Sequence, residues 1–200
     1  MTMKYLYSSL CCLINFAIYS CSPFVSNVKS QNAVTSGYDS VTVYVASTKE
    51  LKSRNIPEKV FQMINLKQLS IQGMDCDYGD TTTCWMIREI PKQISNLKTL
   101  EILQLNVNAI QTIPKEIGKL KKLKTFDLTD NSALSEIEAV INLPNLETLI
   151  LFGCGLTKLP THIKNLKKLK YLGLTGNNID SIELDRIKKA LPTCNIVYDK

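Results

Sequence analysis

Apolar residues recur along this chain with a period of twenty-three residues. Between Leu97 and Lys119 they stand at Leu97, Leu100, Leu103, Leu105, Ile110, Ile113 and Ile117, with Asn108 among them. One period further on, Leu120, Leu123, Phe126, Leu128 and Asn131 take the same places. The next period gives Leu143, Leu146, Leu149, Leu151 and Cys154, and the one after it Leu166, Leu169, Leu172, Leu174 and Asn177. Pinned apolar positions among variable ones, at a fixed spacing of this size, predict a solenoid. The centre of each period, such as Leu103-Gln104-Leu105, predicts a short strand whose leucines turn inward and whose middle residue turns outward. A single turn cannot bury its leucines, whereas stacked turns bury them against one another. At Asn108, Asn131 and Asn177 the chain is expected to bend, the carboxamide bonding backbone groups that would otherwise be buried and unpaired. Cys154 is expected to serve there as a small, buried, weak donor. Pro114 and Pro160 open return segments, where a missing N–H costs no ladder bond.

These residues resemble the leucine-rich repeat pattern L-x-x-L-x-L-x-x-N/C-x-L, and the tail Ile113-Pro114-x-x-Ile117 is similar to that of the class with repeats of about this length. The resemblance implies an α/β repeat fold. It would be a leucine-rich repeat solenoid arching as a horseshoe, with a parallel β-sheet on its concave face and short irregular or 3-10 segments on its convex face.

Outside the regular frame the chain divides as follows. Residues 1–20 read as an export signal, with Lys4 ahead of an apolar run from Leu6 through Ile18 that is short for a membrane span. Ile18-Tyr19-Ser20-Cys21 resembles a bacterial lipobox, which implies that Cys21 becomes the lipid-bearing first residue; Tyr19 departs from the strict motif, and ordinary signal cleavage stays open. Two or more acyl chains would anchor the protein firmly. The expected location is therefore the cell envelope, as an exported lipoprotein of the outer membrane or cell surface, or the medium if Cys21 is unmodified. Residues 21–37, rich in Ser and Asn, read as a flexible tether. The repeat domain is expected over 38–200, with a capping turn at 38–62, an interrupted turn at 63–96, and regular turns at 97–119, 120–142, 143–165 and 166–190. A C-terminal cap at 191–200 would include a closing strand near Cys194-Asn-Ile-Val197. In the capping turn Val41, Val43 and Val45 alternate as a strand. In the last regular turn Ile179 and Ile182 continue the apolar frame, and a short helix is expected at Ile187–Leu191.

The interrupted turn starts in register at Met63, Leu66, Leu69 and Ile71, but its Ile90-Pro91 tail arrives about eleven residues late. The insert holds Cys76, Cys84, Tyr78 and Trp85. Behind an export signal two such cysteines predict a disulfide. Tyr78 and Trp85 predict a recognition loop, since long inserts in repeat proteins often carry binding residues. Asp75, Asp77 and Asp80 lack the glycine turn and distal glutamate of a calcium loop, so no metal is expected.

Composition adds a net charge of +6, which raises the question of nucleic acid. The lysines, however, gather in stretches such as Lys119–Lys124 and Lys164–Lys170, at outer positions without interleaved aromatics, so a solvated basic surface is expected and no nucleic-acid partner. Catalysis needs a base positioned against its target. The sole histidine, His162, has no partner in the frame, and the sequence has no glycine-rich phosphate loop and no metalloprotease motif. Cys154 and Cys194 fall at structural positions. No enzyme activity and no cofactor are expected.

What remains is the outward side of the strands. There Ile102, Ile150, Phe152 and Tyr171 predict a contiguous apolar and aromatic group, with Gln104 and Asp127 as polar groups fixing orientation. The expected function is a non-enzymatic protein-binding module, a single copy tethered to the bacterial envelope. A scaffold or adhesin without a discrete site and a glycan-binding module are the alternatives. An enzyme subunit or secreted effector would need a catalytic domain beyond the repeats.

Overall fold

The structure, a computed structural model, describes residues 38–73 and 84–199. Seven strands lie in one parallel sheet in chain order: β1 Val43–Ser47, β2 Gln68–Gln72, β3 Ile102–Gln104, β4 Thr125–Asp127, β5 Thr148–Ile150, β6 Tyr171–Gly173 and β7 Asn195–Val197. Leu103 pairs with Phe126, Leu149 with Leu172 and Leu172 with Ile196, so the twenty-three-residue frame and the strand register are one and the same. The first five crossovers each contain a 3-10 turn, at Glu58–Gln62, Lys92–Asn96, Lys115–Lys119, Glu138–Asn142 and Ile163–Asn165. Pro57, Pro91 and Pro114 stand just before three of them. The frame leucines and isoleucines form one continuous buried core, with Phe126 in a leucine's place.

Three carboxamides fasten neighbouring turns. Asn131 Nδ2 donates to the carbonyls of Leu105 at 2.9 Å and Leu128 at 2.8 Å, while its Oδ1 accepts from the Ile110 N–H at 3.0 Å. Asn108 does the same with Ile71, Asn106 and Ile87, and Asn177 with Leu151, Leu174 and Leu156. Each Asn oxygen therefore takes the N–H at which the preceding turn re-enters the core. The interrupted turn obeys the rule, because Asn108 accepts from Ile87 at 2.9 Å on the far side of the insert. Cys154 has no oxygen to offer; its Sγ donates to the Leu128 carbonyl at 3.2 Å. The re-entry residue before it, Leu134, bonds instead within its own turn, to the Asn131 carbonyl at 2.9 Å. Leu134 stands one place later than the frame puts it, and Leu143 restores the spacing.

The residue just before each bend adopts a left-handed conformation: Val107 at φ 55°, Asp130 at 57°, Gly153 at 62° and Gly176 at 76°. Glycine fits there freely, but a β-branched valine is strained.

Two features depart from the sequence expectation. The C-terminal return is a helix, α2, spanning Ser181–Ala190; the first helix, α1, is the short Thr48–Leu51. Asp180 caps α2 through Oδ1, which accepts from the Glu183 N–H at 2.8 Å, so the helix begins six residues before the expected Ile187. Helical spacing then turns Ile182 outward, 81% exposed, and Glu183 and Ile187 inward. Glu183 accepts from the Leu159 N–H at 2.8 Å and pairs with Arg186 at 2.6 Å, while Arg186 donates to the Leu159 carbonyl at 2.9 Å. The pair thus takes over both backbone groups of Leu159.

Candidate functional site

The candidate site is the open face of the sheet, where the outward residues line up in rows across the strands. One row runs Val43, Gln68, Ile102, Thr125, Thr148, Tyr171, Asn195. The next runs Val45, Ser70, Gln104, Asp127, Ile150, Gly173, Val197. Phe152 stands two residues beyond Ile150 on the same side. No lysine or arginine lies in any of the seven strands.

The rows break up the expected group of four. Ile102 sits beside Thr125, and both Thr125 and Thr148 separate it from Tyr171; Asp127 and β4 separate it from Ile150. Neighbouring strands are about 4.8 Å apart, so Ile102 is out of contact range. Ile150, Phe152 and Tyr171 remain, on β5, just after it and on β6, each half-buried. The Phe152 ring lies over Gly173: a Cβ on that glycine would come within 2.6 Å of the Phe152 Cε1 atom. Gly173, in an outward row position, is buried as the floor beneath the ring. The Tyr171 hydroxyl has its pKa raised, first by burial and then by the charge of Asp127.

Asp127 is not the exposed polar group the sequence predicts. It is only 7% exposed and accepts three hydrogen bonds: from Asn106 Nδ2 at 3.0 Å, the Thr129 N–H at 3.0 Å and the Thr129 hydroxyl at 2.7 Å. Burial raises its carboxyl pKa, against the pull of those donors. Asn106 Oδ1 beside it is buried without a partner. The acid therefore ties β4 to β3 and to the following bend. Sequence reading missed Asn106 and Thr129 as its partners, although both stand in outward positions of adjacent turns. Gln104 Oε1 accepts from Gln68 Nε2 at 3.4 Å along the neighbouring row positions.

Of the expected recognition loop, Cys76 and Tyr78 lie outside the described residues, as do Asp75, Asp77, Asp80 and the lipobox cysteine Cys21. Trp85 is held down. The Thr48 hydroxyl donates to its carbonyl, Arg54 donates to the neighbouring Cys84 carbonyl at 3.1 Å, and the Arg54 guanidinium stands 5.9 Å from the indole centre. This end of the insert is docked on the capping turn, and Trp85 does not project as a free anchor.

The lysines form a flank at the strand entries. Lys124 meets Glu101 at 2.7 Å and Lys170 meets Glu147 at 2.6 Å, each one turn on. Glu101, Lys124 and Glu147, with Lys121, Lys122 and Lys168, edge a groove of about 220 Å³. The Cys154 thiol is pushed up to about 12 and that of Cys194 to about 11 by burial, so both stay protonated near neutral pH and neither is a ready nucleophile.

A one-strand-per-turn parallel sheet, 3-10 returns and asparagine-fastened bends define a solenoid of stacked repeats. A leucine-rich repeat model matches residues 98–156, and a model of two leucine-rich repeat copies matches 144–186. Residues 98–186 are leucine-rich repeats, and the fold is a leucine-rich repeat solenoid. A leucine-rich repeat protein of Leptospira interrogans is 25% identical, with a TM-score of 0.50 over 79% of this chain and 49% of the other. The plant peptide hormone receptor RGFR1, in complex with RGF2, is 26% identical with a TM-score of 0.53, over 76% of this chain and 23% of the receptor's. The chain thus matches about half the Leptospira chain and under a quarter of the plant receptor's. No curated protein matches the sequence.

Proposed function

We propose that this chain is a non-enzymatic protein-binding module that takes a segment of a partner protein on the open sheet face, at Ile150, Phe152 and Tyr171. The observation that carries this reading is the group itself: two aromatics and an isoleucine, part-exposed on adjacent strands where the repeat frame requires no apolar residue. Aromatic side chains dominate the energetics of protein interfaces. The similarity to a receptor solved in complex with RGF2 points the same way. The test is capture of envelope proteins by the immobilised chain. Saturable binding is expected, and Phe152→Ala or Tyr171→Ala should weaken it by about 2 kcal/mol, roughly thirtyfold. Replacing Lys121 and Lys122 by glutamine should leave it unchanged. The reverse outcome assigns the ligand to the basic flank, and broad unsaturable adhesion supports a scaffold or adhesin instead.

The envelope tether rests on the lipobox-like Ile18–Cys21 and its apolar approach. Metabolic fatty-acid labelling should mark the wild type and be lost in Cys21→Ser; an unlabelled, freely soluble wild type leaves export without an anchor. A Cys76–Cys84 disulfide would close the insert into a stiff loop beside the sheet. Cys84 is not one of the two free thiols, Cys154 and Cys194, among the described residues. Peptide mapping without reductant should recover Cys76 and Cys84 linked, and finding both as thiols would remove the proposal.

A further inference from the structure

The first strand of the sheet has an outer edge with no partner among the described residues. In parallel pairing, alternate residues turn their backbone groups to the same side. The Thr42 carbonyl accepts from the Gln68 N–H at 3.1 Å, so Thr42, Tyr44 and Ala46 face β2. Val43 and Val45 must then direct their N–H and C=O groups away from the sheet. Ser47 is already occupied, since its N–H donates to the Glu50 carboxylate at 3.1 Å as part of the cap of α1. The free edge therefore amounts to two donors and two acceptors. The same two residues present the side chains of Val43 and Val45, 53% and 62% exposed, on the open face. Natural edge strands are blunted by charges, proline or bulges; from Ser40 to Ser47 this chain has no charged residue and no proline.

We propose that β1 pairs antiparallel with β1 of a second copy, about a two-fold axis at Tyr44. In this register Val43 lies opposite the second copy's Val45, and Val45 opposite its Val43. Both pairs are of the hydrogen-bonded kind, so the backbone groups of Val43 and Val45 are satisfied on both edges, and the four valines adjoin on one face. Moving the axis to Val45 would set Val43 against a Ser47 whose N–H is already taken. Charge also selects a second copy. A chain of net charge +6 repels a second copy least where the contact itself carries no charge, and this edge is such a place. Two seven-stranded sheets would then run on as a single sheet. A five-residue strand spans about 17 Å, so the contact falls well below the roughly 800 Å² per partner of a standard interface. The dimer is accordingly reversible and dependent on concentration.

Sedimentation velocity of the full chain over a concentration series should show a monomer–dimer equilibrium. Val45→Lys or Val43→Lys, at exposed positions that should leave the circular dichroism spectrum unchanged, should weaken dimerisation at least tenfold. The register has its own readout, independent of any association through the apolar leader. Chains carrying Val43→Cys mixed with chains carrying Val45→Cys should cross-link on mild oxidation, because hydrogen-bonded pairs hold their Cα atoms about 5.5 Å apart, within disulfide range. Neither variant alone should cross-link through the new cysteine. A chain that stays monomeric throughout overturns the proposal. So does association indifferent to both lysine variants, or cross-linking that is as strong unmixed as mixed.

Discussion

Three bends of this solenoid are closed by asparagine and one by cysteine, and the two kinds behave differently toward the turn before them. Asn108, Asn131 and Asn177 each donate to carbonyls and also accept the N–H at which the preceding turn re-enters the core. Cys154 only donates, and the turn before it closes on itself, its re-entry residue Leu134 standing one place later than in the other turns. Turn length is thus free as long as the re-entry point is held. Asn108 holds it across the long insert, where the frame continues at Ile87 as though nothing had intervened.

The strongest way to break this comparison is Asn108→Ala. It leaves the Ile87 N–H and the Ile71 carbonyl buried without partners, and it should cost about 3 kcal/mol in urea unfolding. Cys154→Ala should cost only about 1 kcal/mol, because it removes one weak sulfur bond and a small volume. Equal losses would mean that the acceptor half of the carboxamide is irrelevant.

Asp127→Asn sharpens the contrast by placing a carboxamide where a buried acid now stands. Burial raises the folded pKa of Asp127 above its ordinary value of 3.8. The fold therefore binds that proton more tightly than the unfolded chain, and the contribution of Asp127 to stability falls as pH rises from about 3.8 through the raised value. Asparagine removes this slope, and its amide gives Asn106 Oδ1 a donor once the Asn106 side chain turns over. The variant should be more stable than the wild type at neutral pH by up to about 1 kcal/mol, with the two curves converging in acid. Thermal unfolding across pH 3 to 7 checks both the sign and the convergence. A variant less stable at pH 7 would mean that the charge itself holds Thr129 in place.

Much of the fold was legible because a solenoid writes its geometry into a period. Leu103, Phe126, Leu149 and Leu172 share one frame position and turn out to be register partners. The separation of Ile102 from Ile150 was legible too, since two periods from Ile102 lead to Thr148. Apolar character alone had suggested contact. Other features were hidden by side-chain competition that no period records. Ile182 fits the frame, but the Asp180 cap starts a helix whose own spacing turns it out to solvent. Asp127 looks like a surface acid until Asn106 and Thr129 close over it. Trp85 reads as a free anchor until Thr48 and Arg54 meet it from another turn.

The ring of Phe152 above Gly173 bears on how fast a partner would leave. Any side chain at position 173 would force the ring up and let it wander among rotamers. With only hydrogen beneath it, the ring is seated before a ligand arrives, so docking need not quench its motion, a cost of about 0.5–1.5 kcal/mol for each side chain that must be immobilised. Such a surface is set in advance, and its gain appears in the dissociation rate more than in the rate of encounter.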